Sequence, residues 1–193
     1  MDADWEVEIG GSAPIIEAAW PGFINLREHP ERIGEIAEVN ILPPLADLLL
    51  KLNATGSPLW TSKCDAWIPE AGGLACYVDL LPRDLSIFDD WRCVEALCRE
   101  WVRRLSAREV HQINLPPGRH AIHIAAHGHE SEAEVTLVVR RAITSQREGF
   151  GITAYFNTGI SEKSKAETAI AATMVAFSNA VPAAAFQKSE DRD

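Results

Sequence analysis

The chain predicts an α+β domain, a mostly antiparallel sheet of about six to eight strands with three to four amphipathic helices packed on it. Three observations carry that expectation. Apolar and polar residues alternate in several short runs, the period of half-buried strands. Glycine- and proline-rich loops join those runs. Longer segments place apolar residues three and four apart, the period of a helix with one buried face. At 193 residues, 47% of them apolar, there is material for one core. Residues 1–185 are read as that domain and 186–193 as a polar tail.

In "WEVEI", Trp5, Val7 and Ile9 alternate with Glu6 and Glu8, and "GSAPIIEAAW" continues as a second extended stretch. "HPERIGEIAEV" reads as a helix entered at Pro30, with Ile33, Ile36 and Ala37 on one side. Pro43 and Pro44 end it and start another, whose apolar face is Leu45, Leu48, Leu49 and Leu52; Asn53 and Gly56 are its stop signals. "LWTSKCDAWI" and "LACYVDLL" form a hairpin across "PEAGG". Strict alternation puts Trp60, Ser62, Cys64 and Ala66 on one face, with Thr61, Lys63, Asp65 and Trp67 on the other.

"SIFDDWRCVEALCREWVRRL" reads as one long helix. Ser86 caps it, with Asp89 in a box-like position, and Phe88, Trp91, Val94, Cys98, Trp101 and Leu105 form its stripe. A meander follows: "VHQINL", a "PPG" turn, "HAIHIAA", "EVTLVVRRAI" and "GFGITAYF", where Gly149 and Gly151 mark a bulge or a close approach. A last helix carries Ala166, Ile170, Met174, Phe177 and Val181 on one side.

A net charge of −10 argues against nucleic acid and against an anionic membrane surface, since both are held by clustered Lys and Arg. The most apolar run, "ILPPLADLLLKL", is too short and too interrupted to span a bilayer. The first residues lack the basic and apolar regions of a secretion signal, and four cysteines without a zinc spacing read as free thiols in a reducing cytoplasm.

Chemistry concentrates in two places. Lys63 and Asp65 share one face of their strand, and Tyr77 and Asp79 share one face of the partner. In the right register these four meet beside Trp67 as a site for a small polar ligand; otherwise they are ordinary pairs on a solvated face. The second place is "HIAAHGHESEAE", where His127 and His129 lie two apart and Glu130, Glu132 or Glu134 can add a third ligand from the returning strand, a set able to hold zinc or another divalent metal. "HGHESEAE" is similar to the first metal motif of the cupins, which implies His127, His129 and Glu134 as ligands. That likeness spans eight residues; the glycines of the motif fall on Ala121 and Arg141, and the second cupin motif is missing, so the chain is not identified as a member. A solvated hairpin turn at Gly128 accounts for the same residues without a metal.

No complete catalytic set stands in the chain: no G-x-S-x-G elbow, no phosphate loop, no H-E-x-x-H helix. The functional expectation is therefore a cytoplasmic binding or interaction protein without cofactor, which takes a small ligand or a second copy of itself. Trp91 and Trp101 on one stripe motivate the homo-oligomer. The alternative is a metal-binding protein or metal-dependent enzyme built on the histidine hairpin.

Overall fold

The computed structural model describes residues 14–17, 22–70, 72–105, 133–144 and 147–181, and the backbone alone at 110–113 and 123–127. "WEVEI", the "PPG" turn, Gly128, His129 and the tail at 186–193 lie outside the described residues.

Strands β1 (Ile15–Ile16), β2 (Leu59–Trp67), β3 (Leu74–Pro82), β4 (Val110–Ile113), β5 (His123–His127), β6 (Ala133–Ile143) and β7 (Glu148–Thr158) form one mixed sheet. Its order is β2-β3-β7-β6-β5-β4, antiparallel throughout, and β1 adds to β6 in parallel. The class is α+β, as expected. Among the described residues five strands reach five residues, fewer than the six to eight expected, because β1 pairs for just two residues and β4 for four.

The helices outnumber the expectation. A 3-10 helix (Pro30–Glu35) precedes α1 (Ala37–Ile41), α2 (Pro44–Asn53), α3 (Leu85–Phe88), α4 (Trp91–Arg104) and α5 (Lys163–Ala180). Two segments read as single helices are each split. Ile36 is extended, at φ −79° and ψ 115°, and separates the 3-10 helix from α1. In the second case two aspartates each cap their own helix. The Asp84 carboxylate accepts from the Ser86 N–H and the Asp90 carboxylate from the Arg92 N–H, both at 2.9 Å. Ser86 is thus the partner of a cap, its hydroxyl donating to Asp84 at 2.7 Å, and not the cap itself.

Helices α2, α4 and α5 bury their stripes on one face of the sheet. Leu45, Leu48, Leu49, Leu52, Val94, Trp101, Ile170 and Phe177 meet Cys76, Val78, Leu80, Val135, Leu137, Ile152 and Phe156 in one continuous core. The Trp101 and Phe177 rings stand edge-on at 5.7 Å, and Phe156 meets Phe177 edge-on at 5.5 Å. Each fully buried large side chain contributes about 1.5–3 kcal/mol, so this face dominates stability.

The opposite face holds a smaller cluster of Ile15, Trp60, Leu81, Phe88 and Ala142. Two sequence features make it. The break between α3 and α4 lets Phe88 lie on β7, where a methyl on Gly149 would come within 2.4 Å of its ring. A register shift in β2 between Thr61 and Cys64 then reverses the alternation. Trp60 pairs with Leu81 in the small cluster, while Cys64 and Ala66 face the large core. Strict alternation had placed all three together, and the bulge overturns it. The Ser62 hydroxyl donates to the Ile16 carbonyl at 2.5 Å, tying β1 to the bulged segment.

Among the described residues no helix is long and apolar enough to cross a membrane.

Candidate functional site

Register decides which polar residues meet. Asp65 lies opposite Tyr77, Tyr77 opposite Tyr155, and Tyr155 opposite Thr136, giving one row across the second face. The neighbouring row runs Asp79, Thr153, Val138, with His123 at the next backbone position. Trp67, Tyr77 and Tyr155 form a tilted aromatic ladder with centroids 6.3 and 5.9 Å apart. Three of the four expected residues, Asp65, Tyr77 and Asp79, therefore share a face beside Trp67.

Lys63 departs from them. The bulge carries it to the sheet edge, where it lines a separate cavity, though its charge still reaches Asp65. Partial burial raises the Asp65 carboxyl above its usual range, opposed by the Ala66 N–H at 2.7 Å and by Lys63.

Asp79 is buried and accepts the Thr153 hydroxyl at 2.6 Å. The Arg140 guanidinium, also buried, donates to the Thr153 oxygen at 3.2 Å. Burial pushes the Tyr155 phenol up, with Arg140 pulling against it. Arg140, Thr153 and Tyr155 are absent from the sequence-derived set. Alternation alone places each on a face of its own strand, but Thr153 joins Asp79 across 74 residues of chain, a pairing no local pattern announces. A charge pair bridged by a hydroxyl within a sheet holds geometry.

The cavity beside Lys63 measures about 410 Å³. Ile24, Ile36, Leu49 and Cys64 supply apolar walls, and Lys63, Glu38 and Glu35, the last paired with Arg32, bring charge to the same space. The Cys64 thiol in its wall is pushed up to about 12, first by burial and then by Glu38 and Asp65. A thiol so placed is inert as a nucleophile at neutral pH.

At the histidine hairpin, His127 pairs with Glu134 across the β5–β6 ladder. The Thr136 hydroxyl donates to the Glu134 carboxylate at 3.2 Å. His129 lies outside the described residues, and among those described no group of three or more His, Cys, Asp or Glu is placed to hold a metal ion.

In comparisons with protein-family models, with curated proteins and with solved structures, the chain has no significant match.

Proposed function

We propose that the chain is a binding protein without catalysis of its own, which takes a small, largely apolar ligand in the cleft beside Lys63. One observation supports this above the others: the 410 Å³ cavity combines apolar walls with a few charged groups, Lys63, Glu38 and the Arg32-paired Glu35. Pockets of this size and composition gain affinity from the walls and orientation from the few polar groups. The inert thiol and the locked Asp79–Thr153–Arg140 bridge fit a site that holds a ligand without transforming it. Four free cysteines fit a reducing cytoplasm.

A fragment screen followed by amide chemical shifts tests the reading. Ligands should shift Ile24, Leu49 and Cys64 together, and Ala37→Trp, which fills the cleft from α1, should abolish the response. Fragments that bind without touching these residues, or equally well to Ala37→Trp, would remove it.

Self-association needs a different surface from the tryptophan stripe that suggested it, since Trp101 is fully buried against Phe177 within one copy. Trp67 and Ile68, exposed at the end of the edge strand β2, are the better candidates. Sedimentation of wild type and Ile68→Asp tests this, and a monomer at micromolar concentration in both would end it.

A metal role is the second reading, favoured by the register of His127 opposite Glu134. Protein purified without chelator or nickel resin should then carry near-stoichiometric zinc or another divalent metal, lost in His127→Ala with His129→Ala. Unchanged metal content in that variant would exclude the hairpin.

A further inference from the structure

A second cavity, of about 310 Å³, opens where β1, β2 and the start of α3 meet, and it is lined by both Arg27 and Arg83. The Arg27 guanidinium lies 4.0 Å over the Trp60 ring, a cation–π stack that holds it flat. Its Nε donates to the Asn25 side-chain oxygen at 3.0 Å, which fixes the fork while leaving both terminal nitrogens without a bond among the described residues. Arg83 is held by carbonyls: its Nε donates to Leu59 O at 2.9 Å and one terminal nitrogen to Asn53 O at 3.1 Å. Its other terminal nitrogen makes no bond among the described residues.

Neither guanidinium pairs with a carboxylate among the described residues, although the chain has an excess of ten acidic charges. Most exposed arginines elsewhere among the described residues do pair, Arg32 with Glu35, Arg104 with Glu100 and Arg147 with Asp89, while Arg92 stacks on Trp91 instead. Arg83 is held below the usual arginine range, first by burial and then by the charge of Arg27. Two pre-oriented cations sharing one cavity are a standing repulsion, which an oxyanion between them relieves.

The rest of the lining sets the kind of anion. Leu81 and Phe88 form an apolar floor, and Leu85, 47% exposed, stands at the cavity as an uncovered apolar wall. Glu17, which has interactions of its own, also lines the space and disfavours a second negative group on the same ligand.

We infer that this cavity is a binding site for a small organic anion, with one phosphate or carboxylate head between Arg27 and Arg83 and an uncharged apolar body against Leu85 and Phe88. It is separate from the cleft beside Lys63, and neither reading depends on the other.

Titration calorimetry at low salt, with phenyl phosphate, benzoate, inorganic phosphate and benzyl alcohol as probes, tests it. Phenyl phosphate or benzoate should bind saturably at millimolar concentration or tighter, and more weakly as salt screens the arginines. Inorganic phosphate and the neutral alcohol should each bind more weakly. Arg27→Gln, at an exposed position, should weaken the aromatic anion at least roughly tenfold with the melting temperature unchanged. Leu85→Gln should weaken it too but leave inorganic phosphate unaffected, and Ala37→Trp should change nothing. No saturable binding of either aromatic anion would overturn the inference. So would full affinity in Arg27→Gln, or inorganic phosphate or benzyl alcohol binding as tightly as phenyl phosphate.

Discussion

The Thr153 hydroxyl donates to the Asp79 carboxylate over 2.6 Å inside the sheet, and the same oxygen receives the Arg140 guanidinium at 3.2 Å. All three groups are buried. A carboxylate and a guanidinium withdrawn from water hold their ground only when hydrogen bonds satisfy them, so one hydroxyl serves both charges. Thr153→Val keeps the shape and deletes the bridge, and should cost about 2–3 kcal/mol. Thr153→Ser keeps the bridge and loses a methyl, and should cost less than about 1 kcal/mol. Urea midpoints of the two variants check this; a loss in Thr153→Val no larger than that in Thr153→Ser would mean that the hydroxyl bridge contributes no more than one methyl.

Phe88 and Gly149 are the second dependent pair. A methyl added at Gly149 would sit 2.4 Å from two ring carbons of Phe88 and from its carbonyl oxygen. Gly149→Ala should therefore destabilise by about 1–3 kcal/mol through overpacking. Phe88→Leu makes room for the ring contact but not for the carbonyl, so the double variant should recover part of that loss. Strictly additive losses in thermal melts would show that the two positions do not press on one another.

Much of the architecture was legible because it is written locally. The stripe Leu45, Leu48, Leu49, Leu52 and the alternation Leu74, Cys76, Val78, Leu80 name their own buried faces, and all eight residues are in the large core. What alternation could not show was the bulge between Thr61 and Cys64, because an extra unpaired residue leaves no mark on composition. That single shift sends Trp60 to the opposite face from Cys64 and separates Lys63 from Asp79. The helix break at Asp90 has a local signal: an N-cap residue is extended rather than helical, so an aspartate inside the segment marks a second helix start, as Asp84 just before it marks the first. The partners of Asp79, and the pairing of Arg27 with Arg83 around one cavity, come from strands and loops far apart in the chain. Register alone assembles them.

Asn53 ends α2 and clamps it to β2. Its side-chain nitrogen donates to Leu49 O at 2.9 Å and to the Thr61 hydroxyl oxygen at 2.6 Å, and its oxygen accepts the Thr61 N–H at 3.1 Å. Asn53 is buried, so Asn53→Ala would strand a backbone N–H beside the bulge. The expected cost is about 2–3 kcal/mol, against about 1 kcal/mol for Thr61→Val, which loses one side-chain bond only. Hydrogen exchange gives a sharper readout: the Thr61 amide should lose protection in Asn53→Ala while the amides of Val135 and Leu137 keep theirs.

The thiols predict an alkaline limit. Burial pushes Cys64 up from 9.0 to about 12, and Cys76 and Cys98 higher still. Below pH 9 these groups are protonated in both folded and unfolded chains and contribute no pH dependence. Above it the unfolded thiols ionise while the folded ones do not, so the unfolded state binds fewer protons and stability falls as pH rises from 9 toward 12. The urea midpoint should drop across that window, and Cys98→Ala, although less stable at neutral pH, should show a shallower drop. The same burial sets reactivity. At pH 8 a disulfide reagent should titrate one thiol of the native chain, exposed Cys93, and all four after denaturation. A second native thiol reacting at a comparable rate would mean that the cleft beside Lys63 admits the reagent to Cys64, and labelling should then be blocked by Ala37→Trp.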